Sequence, residues 1–258
     1  CSVAIGREAL CLVTNGSNNT ALGAAAGKRN GGGNQNTFVG HMAGFGGCDE
    51  FSGFQNTIVG KSAGQSITVA RGSAILGTCA GNSISTGCYN SLFGYKAGYD
   101  ISTGNQNIAI GCAALGGATV TGSENIIIGK EAGKSITSGD DNIAIGRCAM
   151  LGVNGGNVTG NENVVIGTKA GFCLSTGNYN TFVGSYAGNA NSTGSQNTYI
   201  GYFVAAGVTT PAGARYNVAV GNAAAYCMSS GRCNVFLGSY AGCEMETGCF
   251  NIAIGHNV

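Results

Sequence analysis

Gly60-Lys61-Ser62 and Gly133-Lys134-Ser135 carry the closing letters of a phosphate-binding loop, in which backbone amides and a lysine cradle a nucleotide. That chemistry also needs a glycine at the head of the loop, and Gln55 and Ile128 stand there instead. The two histidines, His41 and His256, are far apart and lack the H-x-x-x-H or C-x-x-C partners of a metal centre. Asp140-Asp141 is an acidic pair in a turn, but a calcium site needs several more carboxylates beside it. The 11 acidic residues are spread along the chain rather than gathered as paired general acid and base. These residues imply no enzyme, no catalytic group, no metal and no cofactor.

The 12 cysteines are the remaining reactive side chains, and their number suggests an oxidising, extracellular setting. The pairs Cys227 with Cys233 and Cys243 with Cys249 share a six-residue spacing, which favours a bridge across the turn within each coil. Cys1 and Cys11 flank the first apolar triplet and are candidates for a bridge or a link to a neighbour, whereas Cys79, Cys112 and Cys148 read as small buried hydrophobes. Four N-x-[ST] sequons, at Asn15, Asn18, Asn157 and Asn191, are candidate glycosylation sites, with Asn18 and Asn191 expected in accessible turns.

The elements that position these residues come from a repeat. A glycine closes a short apolar triplet fifteen times, from Gly6 to Gly255, usually 17 residues apart, with longer intervals ending at Gly60, Gly129, Gly167 and Gly221. A fixed period with short insertions marks a solenoid. Four residues before the glycine stands asparagine: Asn19, Asn36, Asn56, Asn90, Asn107, Asn125, Asn142, Asn163, Asn180, Asn197, Asn217, Asn234 and Asn251, with Ser2 and Ser73 in the other two repeats. The consensus is T-G-x-x-N-φ-x-φ-G-x-x-A-G, φ being apolar.

With 48 glycines the chain cannot be helical, because each glycine costs a helix close to ~1 kcal/mol. Triplets such as Thr37-Phe38-Val39 and Val164-Val165-Ile166 are β-branched and bounded by turn residues, so each predicts a brief strand. The expected fold is all-β: one parallel β-solenoid domain over residues 1–258, about fifteen coils stacked at ~4.8 Å into a rod of roughly 70 Å. Asparagines should form an internal ladder between coils, and the alanine three residues after the glycine should let a second wall approach.

Triplet orientation divides the chemistry. The large residue before each glycine and its partner two places earlier are expected to face inward. That sends the middle residues Phe38, Ile58, Ile127, Val165, Phe182, Tyr199 and Phe236 outward, as a candidate lateral interface with other copies. Thr37, Thr57, Thr181 and Thr198 then point inward, which argues against an outward threonine ladder for ice binding.

"CSVAIG" at residues 1 to 6, "NIAIG" at 107 to 111, 142 to 146 and 251 to 255, and "NVAVG" at 217 to 221 resemble the head repeats of trimeric autotransporter adhesins. The longer T-G-x-x-N-T-x-x-G-x-x-A-G form is similar to repeats of phage tail fibres and related surface fibres. The resemblance implies a parallel β-roll, often trimeric, serving as a stalk or head for attachment, although those adhesin repeats are usually shorter and poor in cysteine.

A net charge of +1 removes the basic footprint of a nucleic-acid binder, and no apolar run is long enough to span a bilayer. Both ends read as uncapped repeat, which predicts head-to-tail contact between copies. The expected function is a structural subunit of an extracellular, cell-surface or virion-surface fibre, partnered with itself. The alternative is a glycan-binding module of an adhesin or tail fibre, using the aromatics after the strand glycine: Tyr95, Tyr186, Tyr202, Phe203 and Tyr240.

Overall fold

The computed structural model describes residues 1–47, 50–152, 156–207 and 213–258. The chain divides into two compact units, Cys1–Asn125 and Ile126–Val258. The first carries β1 (Val3–Ile5), β2 (Thr20–Leu22), β3 (Thr37–Val39), β4 (Thr57–Val59), β5 (Ala74–Leu76), β6 (Ser91–Phe93) and β7 (Ile108–Ile110). The second carries β8 (Ile126–Ile128), β9 (Ile143–Ile145), β10 (Val164–Ile166), β11 (Thr181–Val183), β12 (Thr198–Ile200), β13 (Val218–Val220), β14 (Val235–Leu237) and β15 (Ile252–Ile254).

Within each unit every strand pairs in parallel with the next in sequence, first residue on first and third on third, as in Thr20↔Thr37 and Thr181↔Thr198. No helix occurs among the described residues. Each unit is therefore a parallel β-solenoid, and each coil templates the one above it.

The closing glycine explains why this file admits no other residue. Gly94 has φ 135°, and a Cβ placed on it would lie 2.7 Å from the Gly111 carbonyl oxygen of the next coil. Both the torsion and the backbone contact exclude a side chain. The other corners are less demanding. At the residue before the asparagine and two places after the glycine, ordinary side chains adopt the left-handed conformation, among them Tyr89 (φ 59°), Lys96 (φ 55°) and Tyr179 (φ 59°).

The core is thin. It stacks the middle residue of each triplet, the near-invariant alanine (Ala26, Ala43, Ala63, Ala80 and Ala97 in the first unit), and an Ile, Leu or Met seven residues after the glycine, such as Ile67, Ile84, Leu174 and Met228. The longer coil between Gly40 and Gly60 adds Phe51, which packs edge-on against Phe38 with centroids 5.6 Å apart.

The asparagines form the expected ladder, one file in each unit. Asn180 is typical: its Nδ2 donates to the Asn163 Oδ1 at 3.0 Å and to the Gly194 carbonyl at 2.8 Å, and its Oδ1 accepts from the Asn197 backbone N–H at 3.1 Å. Each amide thus ties its own coil to the previous strand and to the next turn, and its donors and acceptor stay satisfied while buried. Ser73 continues the file in abbreviated form, taking the Asn90 N–H on its Oγ at 3.1 Å.

Candidate functional site

The structure turns every strand over relative to the expectation. Phe38, Ile58, Ile127, Val165, Phe182 and Phe236 have no exposed surface and Tyr199 is 1% exposed, so none belongs to a lateral interface. The cause is alternation. Asparagine immediately precedes the triplet and faces inward, so the period of two sends the first residue out, the second in and the third out.

Two outward files follow. The first runs Val3, Thr20, Thr37, Thr57, Ala74, Ser91 and Ile108 in one unit, and Ile126, Ile143, Val164, Thr181, Thr198, Val218, Val235 and Ile252 in the other. Thr37, Thr57, Thr181 and Thr198 therefore point outward, and the argument they gave against ice binding falls. The third-position file is Val, Ile, Leu or Phe in all fifteen strands, with Leu22, Leu76, Phe93, Ile110 and Ile200 among the well-exposed members. Neither file contains a charged residue.

The described cysteines are free thiols, which corrects the expected bridges: Cys227 is not joined to Cys233, nor Cys243 to Cys249, nor Cys1 to Cys11. The ladder separates them. The Cys227 N–H donates to the Cys243 carbonyl at 2.9 Å in the next coil, whereas the Cys233 N–H donates to the Arg215 carbonyl at 3.1 Å in the previous one. Cys227 is half-buried and Cys233 exposed, so the two occupy different environments at opposite ends of one turn. The second pair divides in the same way. Cys243 is half-buried, while Cys249 is exposed, pairs its backbone with Arg232 of the previous coil and turns its thiol to the Thr247 carbonyl at 3.8 Å. Cys1 and Cys11 are both exposed. Burial pushes the Cys227 and Cys173 thiols up from their ordinary range. Of the three cysteines expected inside, Cys148 is buried, Cys79 half-buried and Cys112 exposed.

Among the sequons, Asn15, Asn18 and Asn157 are exposed. Asn191 is buried instead, because its Oδ1 folds back to accept the Gly194 N–H at 2.8 Å. It takes the core position held by Ile or Leu in other coils.

Aromatics gather after the strand glycine in the second unit. The Tyr186 and Phe203 rings stack with centroids 4.5 Å apart and planes 5° from parallel, and Tyr202 meets Phe203 edge-on at 4.5 Å. A cavity of about 480 Å³ adjoins them, with Tyr240, Asn222, Ala223 and Glu244 in its lining. In the first unit Tyr95 stands apart from such a group, with the Lys96 ammonium 5.5 Å from its ring centre. No family model, curated protein or solved structure matches the chain.

Proposed function

We propose that this protein is the structural subunit of an extracellular fibre or surface appendage, associating laterally with copies of itself through the outward face of its strands. The observation that supports the reading is the apolar third-position file, flanked by a file of Thr, Val, Ile, Ala and Ser without charge. An apolar stripe of this kind on a soluble chain calls for a cover. The cover must present apolar ranks at the same ~4.8 Å spacing, and a second copy does so by construction. A net charge of +1 leaves little long-range repulsion between copies. A location outside the cell or on a virion suits a subunit whose work is reach and presentation.

Negative-stain electron microscopy across a dilution series tests the reading. Bundled or multi-chain assemblies that persist on dilution are expected. Discrete single chains at every concentration would overturn it.

A further inference from the structure

The outward face of the second unit reads almost the same from either end. From β8 to β15 its first-position residues run Ile-Ile-Val-Thr-Thr-Val-Val-Ile, and its third-position residues are apolar throughout. Thr181 and Thr198, paired in register on β11 and β12, are the polar members and stand at the centre. The two longer repeat intervals inside the unit close at Gly167 and Gly221, just after β10 and β13, equally far from that centre. Beside this face the two ends carry opposite charge. In the turns leading into β9 and β10, Asp141 and Glu162 stand directly before the asparagine; in those leading into β13 and β14, Arg215 and Arg232 stand two places before it. All four are exposed. Among the described residues none of them has an ion-pair partner in its own chain. Arg215 and Arg232 pair their backbones in adjacent coils, so two like charges leave neighbouring rungs ~4.8 Å apart. At the same places the turns leading into β1 to β7 carry a single charge, Arg71.

We propose that the second unit packs face to face on the same unit of a second copy, about a two-fold axis lying along the strands between β11 and β12. Such a contact is self-complementary, each residue meeting its counterpart twice. The strands of the two copies then run the same way while the order of the coils reverses: β8 lies over the partner's β15, β9 over β14, β10 over β13 and β11 over β12. Thr181 faces the partner's Thr198, hydroxyl to hydroxyl, and every other first-position residue faces Ile or Val. At the rim Asp141 meets the partner's Arg232 and Glu162 meets the partner's Arg215, each twice about the axis. Opposite charges so placed fix orientation and register more than they add affinity. A slip of one coil in either direction sets a threonine against valine, where its hydroxyl loses a partner on burial. Stacking the coils of both copies in the same order turns the strands round instead, and Thr181 then faces the partner's Val183. The pairing rests on the lateral association proposed above and gives that association its sense and register.

Sedimentation velocity of the full chain carrying Glu162→Arg, Arg215→Glu or both tests the pairing. Each single change sets like charges together on both sides of the axis and should raise the dissociation constant at least about fivefold, with an unaltered melting temperature. The double variant Glu162→Arg/Arg215→Glu restores opposite charges and should associate within about twofold of the parent. An equimolar mixture of the two single variants should recover in the same way, because each then meets the charge it lacks. A parent that stays monomeric would remove lateral association and this pairing together. A parent that assembles would overturn the pairing alone if either single variant assembles as tightly, or if the double variant and the mixture stay as weak as the single variants.

Discussion

Within one strand such as Thr181-Phe182-Val183, the middle side chain and its two flanks live under different rules. Phe182 is fully buried and stacks on Tyr199 of the next coil, centroids 5.1 Å apart. Inside the coil each rung packs on the coil before and after it, so the interior is closed and repeats. Thr181 and Val183 are partly exposed. The inner file makes the fold, and the outer file is where the proposed association takes place. Substitution should therefore unfold the protein from inside and separate copies from outside.

The largest effect is expected at the closing glycine. Gly94→Ala forces a side chain onto a φ of 135° and against the Gly111 carbonyl, and should cost roughly 4 kcal/mol or more, read as a loss of cooperative thermal melting. Asn180→Leu comes next. It strips the Gly194 carbonyl and the Asn197 N–H of buried partners and should lower stability by roughly 3 kcal/mol in a denaturant titration. An unchanged midpoint would remove the ladder from the account.

Tyr199→Phe should act in the opposite direction. Among the described residues the Tyr199 hydroxyl is buried without a hydrogen-bond partner, although phenylalanine fills the same file at Phe182 and Phe236. Removing the hydroxyl should add about 1 kcal/mol. Burial pushes this phenol well above the ordinary tyrosine range; amides of Asn217 and Asn191 nearby offset only part of that. The folded state therefore holds the proton more tightly than the unfolded chain. Its contribution is fully present below the unfolded tyrosine value of about 10 and is lost as pH rises above it. The variant should lose less stability above pH ~10 than the parent. On the outer file, Ile110→Lys and Ile200→Lys should change monomer stability by no more than about 0.5 kcal/mol, since both side chains are 39% exposed.

The period, the strand triplets, the alanine wall and the asparagine ladder are all legible in the sequence, because each is a fixed residue at a fixed place in the repeat. Bulk misleads about the sense of the strands. The third position is always large and reads as core, whereas the middle position varies from Ala109 to Phe182 and reads as surface. The signal that decides the matter is nonetheless present: an inward asparagine directly before the triplet fixes the middle residue as inward. The stacking of Tyr186 on Phe203 is legible only as scattered aromatics, because the two rings meet only once their coils are stacked. The spacing of Cys227 from Cys233, and of Cys243 from Cys249, misleads because proximity in sequence across a turn is not proximity in a ladder that binds each residue to another coil.

Sedimentation velocity of the parent chain and the Ile110→Lys/Ile200→Lys double variant, over a hundredfold range of concentration, tests lateral association through the outer file. Lateral association predicts assemblies for the parent, and monomers with an unaltered melting temperature for the variant. A parent that sediments as a monomer throughout, or a folded variant that assembles as well as the parent, would contradict it.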